Sequence, residues 1–142
     1  MKTYWIPVTL RLAAGAKPTE RNHDFMWGWW QCEGGNGGPM RNLQSARFNW
    51  LCTKRRMPGS TNFNTVGVQN YPNWAVGVAA TVASIRGAHY MGLRSALKSG
   101  DPFDIIHRQA VRNSLSWWSH GNITLDGLDY ADRVLEIGAN LA

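Results

Sequence analysis

The sequence predicts an α+β chain in which helices dominate and a small irregular or β-hairpin lobe interrupts them. Three observations carry this. Apolar residues recur at helical spacing from about 19 to 32, the period vanishes from 34 to 71, and it returns from 73 onward. The 142 residues are 44% hydrophobic and include eight tryptophans, which suits one domain, 1–142, with one core. Within it the reading separates a lead-in segment, 1–17, a core, 18–118, and a C-terminal extension, 119–142.

Taking the elements in order, the run Tyr4-Trp5-Ile6-Pro7-Val8-Thr9-Leu10 is apolar but short, holds a proline and meets Arg11 at once. It does not read as a secretion signal, and a short β-like lead-in is expected. From Thr19 to Cys32, Phe25, Trp29 and Cys32 form one helical stripe, with Met26 and Trp30 beside it. Gly34-Gly35 ends this helix and leaves Glu33 in its last turn or at its cap. Residues 34–71 are rich in Gly, Asn, Ser, Thr and Pro. Extended pieces are expected around Arg47–Leu51 and Asn62–Val68, with a turn at Met57-Pro58-Gly59-Ser60. Asn73 then caps a helix on which Trp74, Val78, Val82 and Ile85 repeat. The small residues Gly77, Ala79, Ala80 and Ala83 predict close packing there. A short helix covers about His89 to Lys98. Asp101-Pro102-Phe103-Asp104 opens another, with Asp101 as its cap, running to about Leu115 and followed by Trp117-Trp118. A last amphipathic helix is expected from Tyr130 to Ile137.

Fifteen Lys and Arg against nine Asp and Glu give a formal charge of +6. A basic chain favours polyanions such as nucleic acid, anionic lipid or an anionic bacterial wall. The basic residues are scattered, apart from Lys54-Arg55-Arg56, and no RNA-recognition or helix-turn-helix signature accompanies them. Neither a nucleic-acid nor a membrane partner is therefore expected. Cys32 and Cys52 are the only cysteines, and the four histidines lie far apart. No Cys/His cluster has metal spacing, so neither a metal nor another cofactor is expected. The two thiols read either as ordinary buried thiols or as a bridge flanking the candidate site. A Cys–His nucleophile pair has no local signature.

One carboxylate stands apart. Between Glu33 and Asp101 there is no Asp or Glu. Glu33 lies at a helix C-terminus, where the dipole disfavours negative charge, and beside Trp29, Trp30 and Cys32. Both surroundings raise a carboxyl pKa, which is what a general acid needs near neutral pH. The lobe offers Asn49, Thr53, Asn64, Gln69 and Tyr71 as neutral hydrogen-bonders, interleaved with aromatic residues. Sugars present hydroxyls to the one and apolar ring faces to the other. Trp117 is a further candidate for the lining.

These residues fall into a pattern. Trp30-Gln31-Cys32-Glu33-Gly34-Gly35 resembles the W-x-x-E-G-G of a lysozyme-like family of actinobacteria and their phages. Ala46-Arg47-Phe48-Asn49-Trp50-Leu51-Cys52-Thr53-Lys54 is similar to that family's A-R-[FY]-N-P-L-N-T-T. Gly59 through Pro72 resembles its G-[AS]-T-x-[FY]-N-[ST]-V-G-V-[KQ]-N-Y-P. Gly77-Val78-Ala79-Ala80-Thr81 and the set Tyr90, Leu93, Ala96, Leu97 and Gly100 match its later helices. The resemblance covers about residues 19–118. Its layout is also similar to that of bacterial glucosaminidases and soluble lytic transglycosylases.

The resemblance implies a lysozyme-like fold and a peptidoglycan hydrolase cleaving glycan strands, as a muramidase, glucosaminidase or lytic transglycosylase. Glu33 would be the single catalytic acid, with Asn49, Thr53, Asn64, Gln69, Tyr71 and Trp117 lining the substrate site. It further implies an endolysin or tail-associated lysin, found in a phage virion or in host cytoplasm before release to the wall. Trp50, Cys52 and Lys54 depart from the pattern, as does Trp117-Trp118-Ser119-His120-Gly121 where a W-G-T-G-like stretch is usual. The alternative expectation is accordingly a catalytically impaired module serving as a wall-binding or structural virion component, with other virion proteins docked on the terminal extensions.

Overall fold

The computed structural model describes residues 3–35 and 46–141; residues 36–45 of the expected lobe lie outside the described residues. Six α-helices and one two-stranded sheet make up the regular structure there: α1 Trp5–Ala14, α2 Glu20–Cys32, β1 Thr61–Asn62, β2 Gln69–Asn70, α3 Trp74–Ile85, α4 Met91–Ser99, α5 Arg108–His120 and α6 Leu125–Ala139. Short 3-10 turns, Ala88–Tyr90 and Ile105–His107, lead into α4 and α5. The α+β class with helices dominant is therefore observed.

The lead-in is not extended. Trp5, Ile6, Thr9, Leu10 and Ala13 are buried along one face of α1, a spacing of three and four residues that only a helix aligns. Pro7 is tolerated because it falls in the first turn, where backbone N–H groups have no intrahelical acceptor. Gly15 closes α1 in the left-handed conformation. α1 packs on α2, α3 and α4 and shares one apolar core with them.

The predicted helix from Thr19 to Cys32 is α2, with Thr19 as its cap accepting from Asn22 N at 3.1 Å. Asn73 likewise caps α3, accepting from Val76 N at 2.9 Å. Elsewhere the boundaries move. Arg47–Leu51 forms turns rather than an extended piece. Strand pairing in the lobe is limited to Thr61–Asn70 and Asn62–Gln69, antiparallel, and residues 63–68 form the loop between the strands. Asp101 does not cap a helix: its Oδ1 accepts from Phe103 N at 3.0 Å, and Asp104 caps the following 3-10 turn. Trp117 and Trp118 lie inside α5, not after it. α6 begins at Leu125, five residues before the predicted start, with Thr124 as its cap.

α6 packs most extensively on α2 and α5. Two glycines allow the first contact. A Cβ on Gly28 of α2 would come within 2.7 Å of the Gly138 backbone nitrogen of α6. Arg112 of α5 meets Asp132 of α6 through Nε–Oδ1 at 2.9 Å and Nη2–Oδ2 at 3.1 Å. No helix among the described residues is long and apolar enough to cross a membrane.

Candidate functional site

α2 delivers Glu33 as its C-terminal cap residue. The residue after the last helical turn can project from the apolar bundle without leaving it. Here the side chain enters a space walled by α5, α6 and the lobe. Burial pushes the carboxyl pKa up to about 7, while Trp118 from α5 and the hydroxyl of Tyr130 from α6 favour the ionised form and draw it partly back. Trp118 Nε1 also donates to Leu51 O at 3.0 Å, tying α5 to the lobe above the carboxyl. The Tyr130 hydroxyl and the Trp29 indole N–H are both buried, with no hydrogen-bond partner of standard geometry among the described residues. Burial and the neighbouring Glu33 charge keep the Tyr130 phenol protonated far above neutral pH.

Cys32 and Cys52 are both free thiols, not a bridge. Cys52 Sγ donates to the backbone carbonyl of Glu33 at 3.6 Å. Burial and the same carboxyl raise its pKa to about 12, so it is an unreactive thiol at neutral pH. Burial also raises Cys32, against the opposing pull of Arg133 on α6. Neither thiol has the depressed pKa that a nucleophile would require.

Beside Glu33 opens a cleft of about 850 Å³. One wall is residues 52–56 of the lobe with Ser84 of α3, and the other is Tyr90 with residues 117–121 of α5 and its cap. Cys52 and Trp118 line the cleft and also adjoin Glu33, which is not itself among its described lining residues. Trp117 stacks on His89, with ring centroids 3.6 Å apart and planes 9° off parallel. Trp118 meets Trp29 edge-on at 4.8 Å. No Asp or Glu lines the cleft among the described residues.

Of the residues expected to line a sugar site, Thr53 and Trp117 are in the cleft wall. The others build the lobe. Asn49 is buried, donating from Nδ2 to Thr53 O and Gln69 O, both at 2.8 Å, and accepting from Thr53 N at 2.9 Å. Asn64 accepts from Val68 N at 3.0 Å and braces the loop between the strands. Gln69 donates to Asn62 Oδ1 at 2.7 Å and Gly67 O at 2.9 Å. Tyr71 is buried, and its hydroxyl donates to Arg55 O at 2.6 Å. Amides in a loop-rich segment satisfy backbone groups first, because an unpaired buried backbone group costs about 1–3 kcal/mol.

Sequence reasoning missed Tyr130, Trp118, Ser84 and Tyr90. Trp118 was visible as half of a Trp pair. Nothing local marks Tyr130, which reaches Glu33 only because α6 folds back over α2. Comparison of the chain with protein-family models, with curated proteins and with solved structures found no match.

Proposed function

We propose that this chain is a lysozyme-like glycosidase that cuts the glycan strands of peptidoglycan, with Glu33 as its single general acid. The observation that carries the reading is a carboxyl at a helix end, half-buried beside a cleft, whose pKa is pushed up to about 7. Such a group is about half protonated at neutral pH, and its protonated form can give its proton to a glycosidic oxygen as the bond to the anomeric carbon breaks. Among the described residues no carboxylate lines the cleft to catch the resulting oxocarbenium-like centre. The substrate's own acetamido or hydroxyl group, or a water held near Thr53, completes the reaction. The resemblance of five ordered blocks between residues 19 and 118 supports the same chemistry.

Glu33→Gln keeps the shape and removes the acid. Release of soluble saccharide from purified walls is expected to fall by at least about a hundredfold, the usual range for losing a general acid. Wild-type rates from this variant would overturn the mechanism.

A second reading, a wall-binding or structural virion component, draws on the commitment of Asn49, Asn64, Gln69 and Tyr71 to the lobe's own backbone and side chains. Retention on walls by the wild-type chain, with no saccharide released, would favour it.

A further inference from the structure

The cleft carries three consecutive cations that the acid chemistry does not use. Lys54, Arg55 and Arg56 line one wall, and His120 stands in the other. All three are exposed, and none takes part in an ion pair among the described residues. The segment is nonetheless held in place. Tyr71 donates to Arg55 O at 2.6 Å, and Arg55 N donates to Thr53 Oγ1 at 3.2 Å. The Arg55 guanidinium leans on the end of α3, with Nε donating to Ser84 Oγ at 3.4 Å and Nη2 to Ala83 O at 3.5 Å. Nη1 then keeps its donors without a protein acceptor among the described residues. A cationic wall whose backbone is held by the buried Tyr71 and Thr53, beside an aromatic wall, fits a ligand with both an acidic branch and neutral ring faces.

We propose that Lys54, Arg55 and Arg56 form a subsite for the free carboxylates of the peptide stems that branch from the glycan strand. This rests on the glycosidase reading for its choice of ligand. A strand bearing stems presents sugar rings to Trp117 and Tyr90 while its stem carboxylates reach the opposite wall. Planar carboxylates match the Arg55 fork, and Lys54 and Arg56 supply charge on either side along the chain. A bare glycan strand would leave this wall unanswered.

The test uses the full chain carrying Glu33→Gln, so that ligand survives. Binding of a soluble disaccharide-tetrapeptide is measured by calorimetry against the same molecule with its stem carboxylates amidated. The free acid is expected to bind about tenfold tighter, and that preference should vanish in K54Q/R55Q/R56Q. If the triple variant does not fold, K54Q/R56Q serves instead, since neither side chain makes a hydrogen bond among the described residues, and the preference should then shrink severalfold. Equal binding of acid and amide by the unmodified cleft would overturn the subsite. So would tighter binding of a short oligothymidylate that the triple variant loses equally, since that would assign the wall to phosphodiesters. Saccharide release by the wild-type chain is scored separately. Release without acid preference removes the subsite and keeps the glycosidase; acid preference without release removes the glycosidase and keeps the subsite.

Discussion

Glu33 trades stability for a proton. Its folded pKa, near 7, lies above the ordinary glutamate value, so the folded state favours the protonated form. The stabilisation from that proton is complete below about pH 4 and is lost as the pH rises through 7. Glu33→Gln is therefore expected to be more stable than wild type at pH 8, by about 3 kcal/mol, with the difference gone at pH 4. Urea unfolding at the two pH values checks it. On the proposed mechanism, kcat/KM falls above about pH 7 as the acid ionises. Tyr130→Phe removes a hydroxyl that favours the carboxylate, so this alkaline limb should move to higher pH; an unchanged limb would show that the hydroxyl does not face the carboxyl. Cys52 makes a related point. Its φ is +57°, in the left-handed region that Asn visits readily and most side chains avoid. An Asn, as the resembled pattern has here, would suit that backbone conformation.

At the scale of elements, helices with strong caps were legible and junctions were not. Thr19 and Asn73 carry their capping chemistry in their own side chains, and the starts of α2 and α3 were legible there, while α3 ends at Ile85, two residues before the Gly87 expected to stop it. α1 as a whole was missed as a helix and read as a β-like lead-in, because Pro7 reads as a breaker unless one knows that it sits in the first turn. Asp101 and Asp104 are equivalent on paper; Asp101 goes to Phe103 N and to Arg21, at 3.5 Å. Close packing around Gly77 was foreseen, but its partner was not. A Cβ there would run into the carbonyl of Phe48, itself at φ +52° and unable to yield cheaply. Gly77→Ala should cost about 3 kcal/mol, read as a lower urea midpoint at unchanged slope.

At the scale of the molecule, both ends that lie outside the resemblance complete the site. α1 forms part of the core under the lobe, and α6 brings Tyr130 and Arg133 to Glu33 and Cys32. Truncation after Gly121 should therefore abolish the fold rather than trim it. It would expose core residues facing Ala131, Val134 and Leu135, a loss of about 5 kcal/mol against a typical total of about 5–15. Loss of the cooperative thermal transition is the expected outcome. The candidate acid was readable because it is local, a lone carboxylate at a helix end among aromatics. Its surroundings were not, because they come from segments about a hundred residues away in the chain.

Trp50 and α1 belong together. Trp50 stands where the resembled pattern has proline, and it stacks on Trp5 with centroids 5.4 Å apart and planes 8° off parallel. Trp74 meets Trp50, and Trp30 meets Trp5, both edge-on. Four indoles at such spacing do not absorb independently; their transitions mix into delocalised bands. The chain's circular dichroism is consequently expected to carry a contribution from the seating of Trp5 on Trp50. Trp5→Phe, which removes the ring that seats the first helix against the lobe, is expected to weaken that coupling.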